Sequence, residues 1–178
     1  MKKDFAEAKY LDMLDISKLS RTYDVRRLND ADLEEIYTLC RANTQYYQYC
    51  EAKPTREQVL NDLHITPPGK DLASKYYTGF YQDTELIAVM DLIDGYPDPD
   101  ICFIGFFMMN KAYQGRQVGS GIIREAAAYL KSLGYKSVRL AIDKGNPQST
   151  HFWKKNGFVV ISEVDRNGWT ILVSEKQL

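Results

Sequence analysis

Gly115-Arg116-Gln117-Val118-Gly119-Ser120-Gly121 is a glycine-bearing turn that opens into an apolar helix. Beyond it Ile122, Ile123, Ala126, Ala127, Leu130 and Leu133 recur at helical spacing as one stripe, with Arg124, Glu125, Lys131 and Ser132 opposite. Gly134 follows as a natural C-cap. Residues 101–109 read as a strand before the turn, and Val138, Leu140 and Ile142 as a strand after the helix. Strand, turn, helix, strand is the crossover that makes parallel pairing possible, so the fold class is α/β.

Outward from this unit the pattern is mostly antiparallel. Residues 76–81, 86–93 and 101–109 are apolar runs separated by Gln82-Asp83-Thr84-Glu85 and by Gly95-Tyr96-Pro97-Asp98-Pro99-Asp100, which reads as a meander. Earlier, residues 23–28 suit a short strand. Asn29 then caps a helix bearing Leu33, Ile36, Tyr37 and Cys40 that ends near Asn43. Pro54-Thr55-Arg56-Glu57 starts a second helix and Pro67-Pro68-Gly69 stops it. After the crossover come a short helix over 149–156, a strand over 158–161, and a hairpin turning at Asn167-Gly168 into 169–174, with type I′ chemistry. The expectation is one domain: an N-terminal arm or loosely attached helix over 1–21, and a core over 22–175 built on a mixed, mostly antiparallel central sheet flanked by helices.

The 178 residues suit a single core, and 23 basic against 24 acidic side chains give a net charge of −1. That balance argues against a nucleic-acid partner. No apolar run reaches membrane-spanning length, so no membrane partner is expected and a soluble, cytoplasmic protein is. Cys40, Cys50 and Cys102 have neither zinc spacing nor the even count of a disulfide framework, and read as buried thiols or inert surface thiols with no metal site.

A helix N-terminus carries unbonded N–H groups and the positive end of aligned peptide dipoles, which stabilise anionic oxygens. Gly119 and Gly121 leave room for a pyrophosphate there, Arg116 adds charge, and Ser120 adds a hydroxyl. The spacing is that of neither the lysine-bearing phosphate loop nor the dinucleotide fingerprint. Downstream lies Gly145-Asn146-Pro147-Gln148-Ser149-Thr150-His151-Phe152-Trp153-Lys154-Lys155-Asn156-Gly157-Phe158. With that segment added, Arg116-Gln117-Val118-Gly119-Ser120-Gly121 resembles the acyl-CoA pyrophosphate loop of the GCN5-related N-acetyltransferase (GNAT) superfamily. Asn146, Ser149, Phe152, Trp153, Gly157 and Phe158 resemble that family's companion segment.

The resemblance covers about residues 23–175 and implies the acyl-CoA N-acyltransferase fold, acetyl-CoA as cofactor with CoA as product, and transfer to an amine of a small molecule or peptide. It assigns the backbone of Gln117, Val118, Gly119, Ser120 and Gly121, with Arg116, to the pyrophosphate. Phe107, Met108 and Asn110 would pair their backbone with the pantetheine amides, Asn146 and Ser149 would touch pantetheine or phosphate, and Trp153 would lie near the thioester or flank the cofactor. Family members are often dimers, so a homodimer is an open expectation.

The family often has a tyrosine hydroxyl where Trp153 stands, and indole has no acid chemistry to replace it. Some relatives carry a glutamate base near the position of Gly105 and Phe106, yet no carboxylate occurs between Ile101 and Tyr113. An alkylammonium must lose a proton before attack, so a base is still wanted. Asp91 and Asp143 are the candidates, with His151 and His64 behind them. Tyr113 or the Tyr46, Tyr47, Tyr49 cluster would supply a hydroxyl. The acidic residues from Asp91 to Asp100 suggest a cationic amine. An acyl-CoA-binding or regulatory module with little transfer is the alternative.

Overall fold

A computed structural model describes residues 14–178, so the first part of the proposed arm, residues 1–13, lies outside the described residues. Residues Asp24–Arg27 (β1), Lys75–Gln82 (β2), Glu85–Ile93 (β3), Ile101–Met109 (β4), Ser137–Asp143 (β5), Val159–Arg166 (β6) and Trp169–Gln177 (β7) form one seven-stranded sheet. Its order is β1-β2-β3-β4-β5-β7-β6. All neighbours pair antiparallel except β4 and β5, which run parallel. The crossover between those two is Val118–Ser132 (α4), as the apolar stripe requires.

Two helices, Leu33–Ala42 (α1) and Arg56–His64 (α3), cover the face of β2, β3 and β4 through Ile36, Leu39, Val59 and Leu63 against Tyr77, Val89 and Met108. On the other face α4 sets Ile122, Ala126 and Leu130 against Phe80, Met90, Leu92 and Val138. Thr44–Tyr47 (α2) is a single turn after α1, and Pro147–Lys155 (α5) follows β5. Asn29 caps the entry to α1 through a capping box with Asp32, and Thr55 caps α3. Asn167 and Gly168 both have positive φ, as a type I′ hairpin needs.

Residues 14–21 are not loosely attached. Leu14 and Leu19 are buried in the α4-side core, and Glu125 of α4 accepts hydrogen bonds from Ser20 Oγ, Arg21 N and Thr22 Oγ1. At the far edge all of β6 is exposed, including Val159, Val160, Ile161 and Val164. The three cysteines are buried and free. Among the described residues no helix is long and apolar enough to cross a membrane, and no cluster of metal-ligating side chains is present.

What positions a site is the divergence of β4 from β5. Their pairing covers only Ile101, Cys102, Phe103 and Ile104 on one side and Ser137, Val138, Arg139 and Leu140 on the other. Beyond it the strands splay, leaving residues 105–109 of β4 without a partner on that side. The gap opens at the carboxyl ends of both strands, where open α/β sheets bind ligands.

Candidate acyl-CoA site

The loop before α4 turns through two left-handed residues, Gly115 (φ 73°) and Gln117 (φ 63°). Gln117 is the N-cap and makes no side-chain cap; its carbonyl accepts from Gly121 N at 3.0 Å. The N–H groups of Val118, Gly119 and Ser120 in the first turn therefore face the loop without an intrahelical acceptor. The two helix glycines differ in purpose. A Cβ on Gly119 would lie 3.2 Å from Phe152 and 3.3 Å from Met109 Sδ, so this glycine lets α4 pack closely on β4 and α5. A Cβ on Gly121 would meet nothing nearer than Arg124 at 4.0 Å. Close packing, rather than anion access alone, explains Gly119.

Along β4, Asn110 N–H donates to Ile87 O of β3 at 2.8 Å, while Met109 O turns away and accepts from Asn43 Nδ2 at 3.0 Å. Antiparallel alternation then aims the backbone of Met108 at β3 and that of Phe107 and Met109 into the splay. The expectation for Met108 is corrected accordingly: its side chain lines the cleft, but its N–H and C=O belong to the sheet. Asn110 is corrected too. Its side chain caps the turn at Ala112 N and donates to Leu86 O, outside the cleft lining.

The cleft between these elements and α5 has a volume of about 330 Å³. Of the residues assigned to it by sequence, Phe107, Met108, Gln117, Val118, Gly119 and Ser120 line it, as do Ser149 and Trp153. Arg116 and Gly121 do not. Neither does Asn146, which caps α5 by accepting from Ser149 N at 3.0 Å and leaves its buried Nδ2 without a partner. Sequence reading missed Gln148 and Lys155 as lining residues, although with His151 and Phe152, which it had named, their 3.6-residue spacing marks one face of α5. It also missed Asn43 and Gln114, whose side chains bond each other at 2.6 Å. Nothing local in the sequence announces that pairing.

Trp153 is buried and packs edge-on against Phe152 (4.9 Å) and Phe158 (5.0 Å), with Phe107 at 5.8 Å. It is a wall of the cleft and part of the core at once.

The proposed acid–base residues fall in three places. Tyr113 lines the outer cleft, but its hydroxyl donates to Glu85 Oε2 at 2.6 Å, and that bond raises its pKa. Asp143 ends β5 with both oxygens engaged, Oδ1 accepting from Trp169 Nε1 at 2.7 Å and Oδ2 from Cys50 Sγ at 3.1 Å. Burial, then Asp143, pushes the Cys50 thiol up to about 12. Tyr46 lines the cleft beside this group, its phenol raised well above the ordinary value by burial, then by Cys50 and Asp143. Asp91 is buried against Lys75, Nζ to Oδ2 2.6 Å. His151 is at the cleft, whereas His64 is occupied with Asp30 on the surface.

The acidic turn does not serve this cleft. Asp94 accepts from Tyr135, and Asp100 pairs with Lys136 at 2.6 Å. Both flank the start of β4, while the cleft lies at its end, roughly 26 Å away at 3.3 Å per residue.

The family model described as acetyltransferase (GNAT) family matches residues 32–158. The chain belongs to the acetyltransferase (GNAT) family. Among solved structures, an acetyltransferase from Thermus thermophilus is 20% identical with TM-score 0.70, over 88% of this chain and 97% of that one. PaiA N-acetyltransferase from Thermoplasma acidophilum, in complex with coenzyme A, is 19% identical with TM-score 0.64, over 88% and 99%. A GCN5-related N-acetyltransferase from Kribbella flavida is 22% identical with TM-score 0.63, over 88% and 98%. At these identities the likeness is one of fold. No curated protein matches. The GNAT fold thus accounts for the mixed, mostly antiparallel sheet and its flanking helices.

Proposed function

We propose that this GNAT protein transfers an acetyl group from acetyl-CoA to a primary amine of a small molecule or an exposed peptide. The observation that carries this reading is the meeting of two sets of main-chain groups in one cleft: the β4 edge at Phe107, aimed into the splay, and the first turn of α4. Such groups need partners, and an extended chain of amides ending in a pyrophosphate supplies both kinds. The orphaned Asn146 Nδ2 beside the cleft is a further polar group that wants an acceptor. Bound acetyl-CoA brings an acetyl group already activated as a thioester.

The chain's own residues then have distinct tasks. Phe107 N–H, aimed into the splay, suits the oxygen of a reacting carbonyl better than Met108 N–H does. Phe107, Phe152 and Trp153 exclude water from the inner end. Val118, Gly119 and Ser120 hold phosphate oxygens through their N–H groups, and Lys155 on α5 adds positive charge. Tyr46 keeps its proton at neutral pH, which makes it a donor rather than a base. The PaiA relative solved with coenzyme A supports the cofactor, and the near-neutral net charge supports small amines over nucleic acid.

Calorimetric titration with CoA, followed by a thiol-release screen with acetyl-CoA against amines of graded size and charge, tests the proposal. Binding with release for at least one amine class is expected. Binding with no release across the panel favours the acyl-CoA-binding module, the reading that Trp153 at the usual tyrosine position supports. Absence of CoA binding overturns both.

A further inference from the structure

Gly105 is the extra residue of a bulge in β4, where Asp91 stands opposite Phe106 and Leu92 opposite Ile104. Its φ lies outside the left-handed region, so its backbone does not require glycine. What requires glycine is Asp91: a Cβ at 105 would lie 2.6 Å from Asp91 Oδ2. The carboxylate of β3 fills the space that a β4 side chain would take, on a strand that itself carries no carboxylate.

The placement matters because Gly105 is exposed and is the first β4 residue beyond the pairing with β5. Asp91, by contrast, is only 6% exposed. A group entering the splay from the α1–α3 face meets Oδ2 across a bare Cα. Phe107, which lines the cleft, is two residues further on, roughly 7 Å along the strand. The same oxygen accepts from Lys75 Nζ at 2.6 Å, a lysine itself 3% exposed, while Oδ1 has no hydrogen-bond partner. A purely structural ion pair explains neither the orphaned oxygen nor the open glycine over it.

The geometry points to Asp91 as the general base for the acceptor amine, reached over Gly105. This assignment rests on the acetyl-transfer reading above. An acceptor ammonium gives one N–H proton to Asp91 Oδ2, directly or through one water. The nitrogen lone pair then forms the N–C bond to the acetyl carbon, and the C–S bond breaks with its electron pair on sulfur. The second nitrogen proton passes to that sulfur, and Asp91 returns the first to solvent past Gly105. One amide, one thiol and one released proton balance the ammonium and the thioester.

The charged and titratable groups facing Asp91 are Lys75 and Tyr77 of β2 and Asp62 of α3, with the Cys102 thiol of β4 on the other face of the sheet. Burial raises the Asp91 carboxyl, Lys75 lowers it, and Asp62 raises it. The net direction is upward, toward a better base.

The test compares kcat against pH, CoA affinity and thermal unfolding for the native protein and three variants. Asp91→Asn removes the base, and Lys75→Met/Asp91→Asn also retires the stranded ammonium in case the single change fails to fold. Gly105→Glu/Asp91→Ala returns a carboxylate from β4. We expect kcat to fall about 100-fold or more in both Asn variants. CoA affinity should stay within about twofold and the carboxylate limb of the pH profile should vanish, because the CoA cleft is untouched. At least about tenfold recovery, with a restored limb, is expected in the Glu variant. A folded Asn variant with native kcat and pH profile overturns the assignment while leaving acetyl transfer standing. Native protein that binds CoA and releases no thiol with any amine overturns both.

Discussion

On the α4–α5 wall of the cleft the polar groups left open belong to the main chain, at Phe107 and the first turn of α4, and the side chains around them are mostly aromatic packing. On the second wall Tyr46 of α2 lines the cleft, and behind it the polar groups belong to side chains and are closed on one another: Cys50 on Asp143, Asp143 on Trp169, Tyr46 beside both. The contrast teaches how one cleft can recognise and react. Main-chain donors fixed by a helix end and a strand edge depend on side chains for their seating alone, which the Trp153 ring supplies here through Phe107, Phe152 and Phe158. Side-chain networks set proton positions, and small changes in them alter chemistry without altering the fold.

The strongest way to break the first wall is Trp153→Ala. The ring is a hub for Phe107, Phe152 and Phe158, and removing a buried indole costs about 3–5 kcal/mol by transfer and cavity terms. Denaturant unfolding should show that loss without ligand present. CoA affinity should fall with it, because α5 loses its seat against β4. A variant of native stability would mean that the wall does not rest on this ring.

Next in size is the pair of α4 glycines. Gly119→Val is expected to cost about 1–3 kcal/mol, since its side chain must displace Phe152 and Met109. Gly121→Ala meets open space and should leave stability unchanged or raise it by up to about 1 kcal/mol, the helix propensity difference. Thermal melts of the two free proteins decide this. Equal melts would return both glycines to the single role of anion access.

That pair also measures what was legible in the chain. The turn, the apolar stripe of α4, the caps at Asn29 and Thr55, and the Asn167-Gly168 hairpin are local signals, and each stands where the residues place it. The division of labour between Gly119 and Gly121 depends on Met109 and Phe152, which reach α4 only through the tertiary fold. The same holds for Met108. Which residues of β4 face the splay is a matter of register parity, set by the bulge at Gly105 and invisible to a period-2 pattern. Asp91 and Gly105 are 14 positions apart and become neighbours only through that register. The acidic residues of the β3–β4 turn flank the start of β4, whereas the cleft lies at its end, a separation that only the strand length makes visible.

The smallest expected effect sharpens the second wall. The Cys50 thiol is held up at about 12 by burial and then by the hydrogen bond and charge of Asp143. Removing that charge in Asp143→Asn lowers the thiol pKa, so alkylation of Cys50 at pH 9 should quicken. It should do so with little change in stability at pH 7, because the Asn carbonyl still accepts from Trp169 Nε1. The sign for stability follows from the same shift. A group whose folded pKa is raised favours the folded state fully below its unfolded value, here 9.0, and loses that contribution as pH climbs toward about 12. The native protein should therefore weaken from pH 9 upward, and Asp143→Asn should weaken less steeply over the same range. Tyr46, raised in the same direction by the same neighbours, adds to the native slope. Parallel urea midpoints for the two proteins at pH 8, 9 and 10 would show that Asp143 does not set the proton balance of this wall.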